Sequence, residues 1–184
     1  MLRFQDGDDS AFEELVRKNT DKVHALIYRF LGRPGQVEDL TQEVFLRIYK
    51  TRDRYKPTAK FSTWLYRIAA NLSFNVLRSR ARKHPVTLEM ASPDDDDSYY
   101  RDVEDEQIET PYNRMDENEL SEKIAQAIDH LPENQRVAIV LNKYENKSYE
   151  EISKILQCST MAVKSLLSRA RANLRTSLRK YVEP

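Results

Sequence analysis

The 184-residue chain has little of what breaks helices, cross-links chains or holds metals: three glycines, one cysteine, one tryptophan and three histidines. So few glycines, set against abundant Leu, Arg, Glu, Ala and Lys, favour helix over sheet and leave no glycine-rich phosphate loop. Cys158 has no second cysteine to pair with, which fits a reducing compartment and makes the cytoplasm the expected location. His24, His84 and His130 are scattered without metal-ligand spacing. Glu38, Asp39, Glu43 and the run Asp94–Asp97 supply carboxylates, but without such ligands no metal or other cofactor is expected, nor an enzyme. No segment approaches the roughly 18 uninterrupted apolar residues of a membrane helix. The start, Met1–Asp6, lacks the apolar stretch of a secretory signal, so no direct membrane insertion is expected.

The chain is neutral overall, yet the charges are segregated. Residues 1–83 carry 17 Lys and Arg against 10 Asp and Glu, whereas residues 84–119 carry 2 against 13. Residues 120–184 return to 11 against 7. Two basic ends around an acidic middle suggest two contacts with a polyanion.

Hydrophobic spacing divides the chain in the same places. Phe12, Leu15, Val16, Val23, Leu26, Ile27 and Phe30 recur at helical spacing over 10–31, with Ser10 as the expected N-cap and Glu13 completing a capping box. Gly32, Pro34 and Gly35 end this helix. A second helix is expected over about 36–51, and a third from near Ser62 to about Lys83, ending before Pro85. Residues 84–117 read as a flexible acidic linker, too poor in apolar surface to offset the entropy of ordering. Helical patterning resumes at Leu120, stops at Pro132 and restarts over about 133–144. The expectation is therefore an all-α chain with two small helical domains, 1–83 and 118–184, joined by that linker.

The most informative stretch is Ser148 to Lys180. Ser148-Tyr149-Glu150-Glu151 is a capping box opening a short helix, and Gln157–Thr160 is a four-residue turn. The next helix gathers Val163, Leu166, Leu167, Ala170, Leu174 and Leu178 within about 120° of arc. Lys164, Ser165, Ser168, Arg169, Arg171, Arg175 and Arg179 lie elsewhere, and no acidic residue occurs from Ser159 to Lys180. A short helix, a tight turn and a longer basic helix make a helix-turn-helix. Thr160, Lys164, Ser165, Ser168, Arg169, Arg171 and Arg175 are its candidate DNA contacts: arginine pairs bidentately with guanine, and later arginines anchor phosphates.

Ser148–Ile152 followed by Val163–Leu166 and Ser168–Arg171 resembles the C-terminal, −35-reading domain of extracytoplasmic-function sigma factors of the sigma-70 family. Ile128–Glu133 is similar to the lead-in to that domain. Ala11–Leu15, Glu38–Phe45 and Phe61–Asn71 look like the three helical segments of the family's −10-reading domain. Lys164 stands where the family commonly has Arg. A DNA-binding regulator working without polymerase would account for the helix-turn-helix but not for the N-terminal segments.

The resemblance implies a factor that binds core RNA polymerase and directs promoter-specific initiation, reading −35 as duplex and −10 as melted strand. It implies polymerase contacts at Asp39, Leu40, Gln42, Glu43 and Leu46. It implies −10 contacts at Arg54, Tyr55, Lys56, Lys60, Trp64, Asn71, Asn75, Arg78 and Arg80, with Trp64 either stacking or filling core. It also implies an anti-sigma partner and a monomer when free. The acidic linker is either a solvated tether or a segment that occupies a basic channel of the polymerase.

Overall fold

A computed structural model describes residues 1–32, 34–83 and 117–182; the expected linker, apart from Glu117, lies outside the described residues. Among those residues every regular element is helical. A four-residue turn of helix, α1 (Leu2–Gln5), precedes α2 (Asp9–Leu31), α3 (Val37–Lys50) and α4 (Phe61–Lys83). The second domain consists of α5 (Glu117–Asp129), α6 (Glu133–Lys143), α7 (Tyr149–Leu156) and α8 (Thr160–Val182).

Helix α2 starts one residue before the expected cap. Asp8, not Ser10, is the N-cap, accepting from the Ala11 N–H at 3.2 Å. The Ser10 hydroxyl donates to the same carboxylate, as does Arg3. These bonds hold the Asp8 carboxyl down at about 2. A carboxylate outcompetes a hydroxyl here because the exposed helix N-terminus favours negative charge. Gly32 closes α2 in the left-handed region (φ 66°), donating to Tyr28 O at 2.9 Å. A Cβ there would stand 2.5 Å from the Asp129 carboxylate, so glycine also permits the close approach of α5.

Helices α2, α3 and α4 bury Leu26, Ile27, Phe30, Val44, Ile48 and Leu65, each such side chain contributing about 1.5–3 kcal/mol. Short α1 was not legible as an element. It is held by buried Phe4, whose ring stacks on Phe12 at 4.8 Å, and by Gln5 Nε2, which donates to Arg52 O and Tyr55 O. In the second domain α6 is enclosed, with Arg136–Leu141 all buried, because α8, α7, α2 and α4 all pack on it. Burial pulls the Arg136 guanidinium below its ordinary value, with Asp129 and Glu133 opposing that effect.

The two domains are docked rather than apart. Helix α4 lies on α7 and α6, α2 lies on α5 and α6, and one apolar core runs through both domains. Polar contacts rim the seam. Tyr66 Oη donates to Glu145 at 2.6 Å, Lys60 Nζ to Glu151 at 3.1 Å, and Lys147 Nζ to the Ser62 hydroxyl at 3.5 Å. The Arg29 guanidinium sits 4.6 Å from the Tyr144 ring centre.

Candidate nucleic-acid interface

The helix-turn-helix is built as its sequence demands. The Ser148 hydroxyl accepts from the Glu151 N–H at 3.2 Å, and the Glu151 carboxylate accepts from the Ser148 N–H at 3.1 Å. The bond donated by the Ser148 N–H, with that from Lys60 second, holds the Glu151 carboxyl below the usual carboxylate range. Gln157 ends α7 in the left-handed region (φ 55°), and the Cys158 N–H reaches back to Ser153 O at 3.1 Å. Ser159 then caps α8 by accepting from the Ala162 N–H at 3.1 Å. Ile152, Ile155, Val163, Leu167 and Ala170 are wholly buried and fix the two helices against each other.

Against that buried stripe, Thr160, Lys164, Ser165, Ser168, Arg169, Arg171 and Arg175 are all exposed. Arg171 reaches the Tyr149 hydroxyl at 3.4 Å, and Asn173 bonds Gln135 at 2.8 Å, steadying α8 on the domain below. Met161 shares this solvent face and is 74% exposed. Sequence reading passed over it, although an apolar residue on a polar face was the available signal.

The second surface lies on α4 and the loop before it. At 100° per residue, Trp64, Asn71, Asn75 and Arg78 fall on one narrow stripe opposite the α4 core residues. Asn71 and Asn75 are exposed, and Asn71 makes no side-chain hydrogen bond among the described residues. Asn19, by contrast, turns its amide back onto Leu15 O at 2.8 Å. Trp64 is half-buried, 5.1 Å from the Tyr55 ring and 6.1 Å from Phe61. Tyr55 is buried and supports the loop from inside, whereas Arg54, Lys56 and Lys60 present their side chains outward. Arg80 is turned back, donating to Leu31 O at 3.4 Å and Gln36 Oε1 at 3.0 Å.

The third surface is on α3. Gln42 and Leu46 reach an apolar groove of about 480 Å³ between α2 and α3, together with Phe12, Val16, Phe45 and Tyr49. Leu46 and Tyr49 are 44% and 43% exposed, a costly display for a face without a partner. Leu40 instead packs inward, Asp39 stays exposed outside the groove, and Glu43 pairs with Arg47 at 3.4 Å. The groove's contribution from α2 was not read from the sequence, because it forms only when the two helices meet.

A further cleft of about 680 Å³ lies between the domains, lined by His24, Tyr28, Arg29, Leu120, Ile124 and Tyr144. Among the described residues, no group of three His, Cys, Asp or Glu side chains is placed to hold a metal. No helix among them is long and apolar enough to cross a membrane.

Comparison with known proteins matches both halves. The family model for Sigma-70 region 2 covers residues 15–83, and that for Sigma-70, region 4 covers residues 121–174. The chain is 37% identical over 172 residues to the RNA polymerase sigma-H factor of Pseudomonas aeruginosa, spanning 92% of this chain and 86% of that one. It is 37% identical over 173 residues to the ECF RNA polymerase sigma factor SigW of Bacillus subtilis, spanning 94% and 91%. Among solved structures, CnrH in complex with the cytosolic domain of CnrY matches with a TM-score of 0.68 at 22% identity, over 97% of this chain and 94% of that one. The sigma factor RpoE in complex with the anti-sigma factor NepR from Bartonella quintana matches at 0.66 and 21%, over 95% and 99%. The structural likenesses bear on the fold, and the sequence relatives are specificity factors for transcription, not enzymes. The chain belongs to the extracytoplasmic-function group of sigma-70 family RNA polymerase sigma factors, which direct promoter-specific transcription.

Proposed function

We propose that this sigma factor reads the −35 element as duplex through α8 and the −10 element as melted strand through α4 and the loop Arg54–Lys60. The observation that carries the reading is the division of α8. The seven candidate contact side chains are all exposed on it, none of the residues from Ser159 to Lys180 is acidic, and Val163, Leu167 and Ala170 on the opposite stripe are wholly buried. A face of that kind suits the major groove, with cations for phosphates and guanine. On α4, exposed Asn71 offers a donor and an acceptor to a freed base edge, and the half-buried Trp64 offers a ring edge nearby. Apolar Leu46 and Tyr49, beside polar Gln42 and Asp39, suit docking on core polymerase.

The working units are residues 1–83 and 118–184, connected by 84–117, in a chain that is monomeric when free and acts in the cytoplasm beside the polymerase. The docked arrangement occupies part of the −10 surface, since Lys60 and Ser62 are engaged by Glu151 and Lys147. Promoter engagement therefore requires the domains to part. An anti-sigma partner that closes over the cleft between α2, α5 and α6 would oppose that parting, and the cleft's apolar lining supports a helical occupant.

The test is selection of bound promoters from two randomised libraries, one in the −35 and one in the −10 element, with holoenzyme reconstituted from this chain. Enrichment in both is expected, with −10 enrichment persisting on pre-melted templates. Enrichment that vanishes when the −35 element alone is made single-stranded is also expected. Equal use of all −35 sequences would overturn the duplex-reading assignment.

A further inference from the structure

We propose that Met161 is a specificity residue of the reader helix, contacting the 5-methyl group of a thymine at one end of the −35 element. This rests on the reading of α8 as the duplex reader and deepens it. At 100° per residue, Met161, Ser165, Ser168 and Ala172 form one ridge on α8, diametrically opposite Val163, Leu167 and Ala170. All four ridge residues are exposed. Lys164 and Arg175 flank the ridge on one side and Arg169 on the other.

The ridge is therefore short-chained along most of its length, which lets the helix approach a groove floor closely. Its flanking cations are spaced to reach outward to guanine or phosphate. Met161 is the one long apolar side chain on it, and it stands in the first turn, where a reader helix enters the groove. It is 74% exposed, the most exposed of the large apolar side chains among the described residues, and does not belong to the packed core. Packing thus gives no account of it, whereas a thymine methyl is the one apolar feature a base pair shows in the major groove. An unbranched, polarisable thioether adapts readily to such a contact. The capped start of α8, with Ser159 accepting from the Ala162 N–H, fixes where that side chain emerges.

The size of the effect follows from the methyl. Removing one buried methyl group from water is worth about fourfold in affinity. Ordering the three-bond methionine side chain offsets part of that, so about fourfold is the ceiling and about two- to fourfold the expected discrimination at one base pair.

The experiment uses holoenzyme assembled with the full chain and promoter duplexes in which each −35 thymine in turn is replaced by uracil, removing only the methyl. The expected result is a loss of about two- to fourfold at one position with the natural chain, and no loss there with Met161→Ala. Met161→Leu, which keeps apolar surface, should recover part of the discrimination. Met161→Ala should leave folding and core polymerase affinity unchanged. The proposal is overturned if Met161→Ala shows the same thymine-to-uracil loss as the natural chain, or if no position responds while other −35 changes still weaken binding. The latter result leaves α8 as the reader. Loss of core affinity in Met161→Ala would also overturn it, assigning the side chain to a protein contact. Indifference of the holoenzyme to every −35 change would instead remove the duplex-reading assignment, and this proposal with it.

Discussion

Replacing Tyr66 by Phe should loosen the seam between the domains and make the chain a faster, tighter partner for polymerase. Tyr66 is only 5% exposed, and its hydroxyl donates to the Glu145 carboxylate at 2.6 Å. Phenylalanine keeps the ring that Lys147 covers at 5.2 Å, so the change removes one hydrogen bond and little packing. Hydrogen bonds to charged groups contribute about 1.5–3 kcal/mol. Glu145 is half-exposed and can rehydrate, so the low end applies, which is about a tenfold shift in the docking equilibrium. If the docked form dominates, apparent core affinity rises in proportion to the released fraction, up to about tenfold. The assay is energy transfer between dyes at Lys50→Cys on α3 and Ser177→Cys on α8, with Cys158→Ser to keep labelling specific, alongside core titration. Unchanged transfer and unchanged core affinity in a folded Tyr66→Phe chain would refute the reasoning.

Further outcomes follow from the same contacts. Burial first, and the Glu145 bond second, raise the Tyr66 phenol well above its ordinary value. Its contribution to docking is therefore complete below the ordinary tyrosine range and fades as pH climbs through the raised value, so one tyrosine should titrate late by absorbance at alkaline pH and at its ordinary value once the domains are separated. Arg169→Ala should cost about 1–3 kcal/mol and blur preference at one or two −35 base pairs, while Arg175→Ala should weaken all sequences alike and flatten the salt dependence. Asn71→Ala should slow open-complex formation on duplex promoters with −35 binding intact, and a pre-melted bubble should restore part of the loss. Asp39→Lys combined with Glu43→Lys should lower core affinity without unfolding, as neither side chain is buried; undiminished core binding would reject that surface.

What the sequence disclosed was whatever is written locally. The periodicities of α2, α4 and α8 and the reciprocal Ser148–Glu151 cap depend on residues within a few turns, and they stand as read. Local competition explains the displaced start of α2, where Asp8 and Ser10 both suit a cap and the carboxylate holds it. The seam was not legible because Lys60 and Glu151, or Tyr66 and Glu145, lie far apart in the chain and neither looks like half of a pair on its own. The same holds for the α3 groove, where Gln42 and Leu46 were in view but the Phe12 and Val16 wall was not. Tyr55, expected at the −10 strand from the resemblance, is buried with its ring against Trp64, a contact the basic loop did not announce. Its burial follows from Gln5 tying down the loop from α1, an element of four residues too short to announce itself.

The central claim, that this chain gives polymerase its choice of promoter through α8 and α4, is tested most directly by run-off transcription with purified core polymerase on a library of genomic fragments. Core alone should start at random or not at all, and adding the chain should yield discrete start sites that share two spaced elements. A chain carrying Lys164→Ala, Arg169→Ala and Arg175→Ala should bind core normally yet lose those starts. Specific duplex binding without any stimulated initiation, or starts that survive the triple substitution unchanged, would contradict the account.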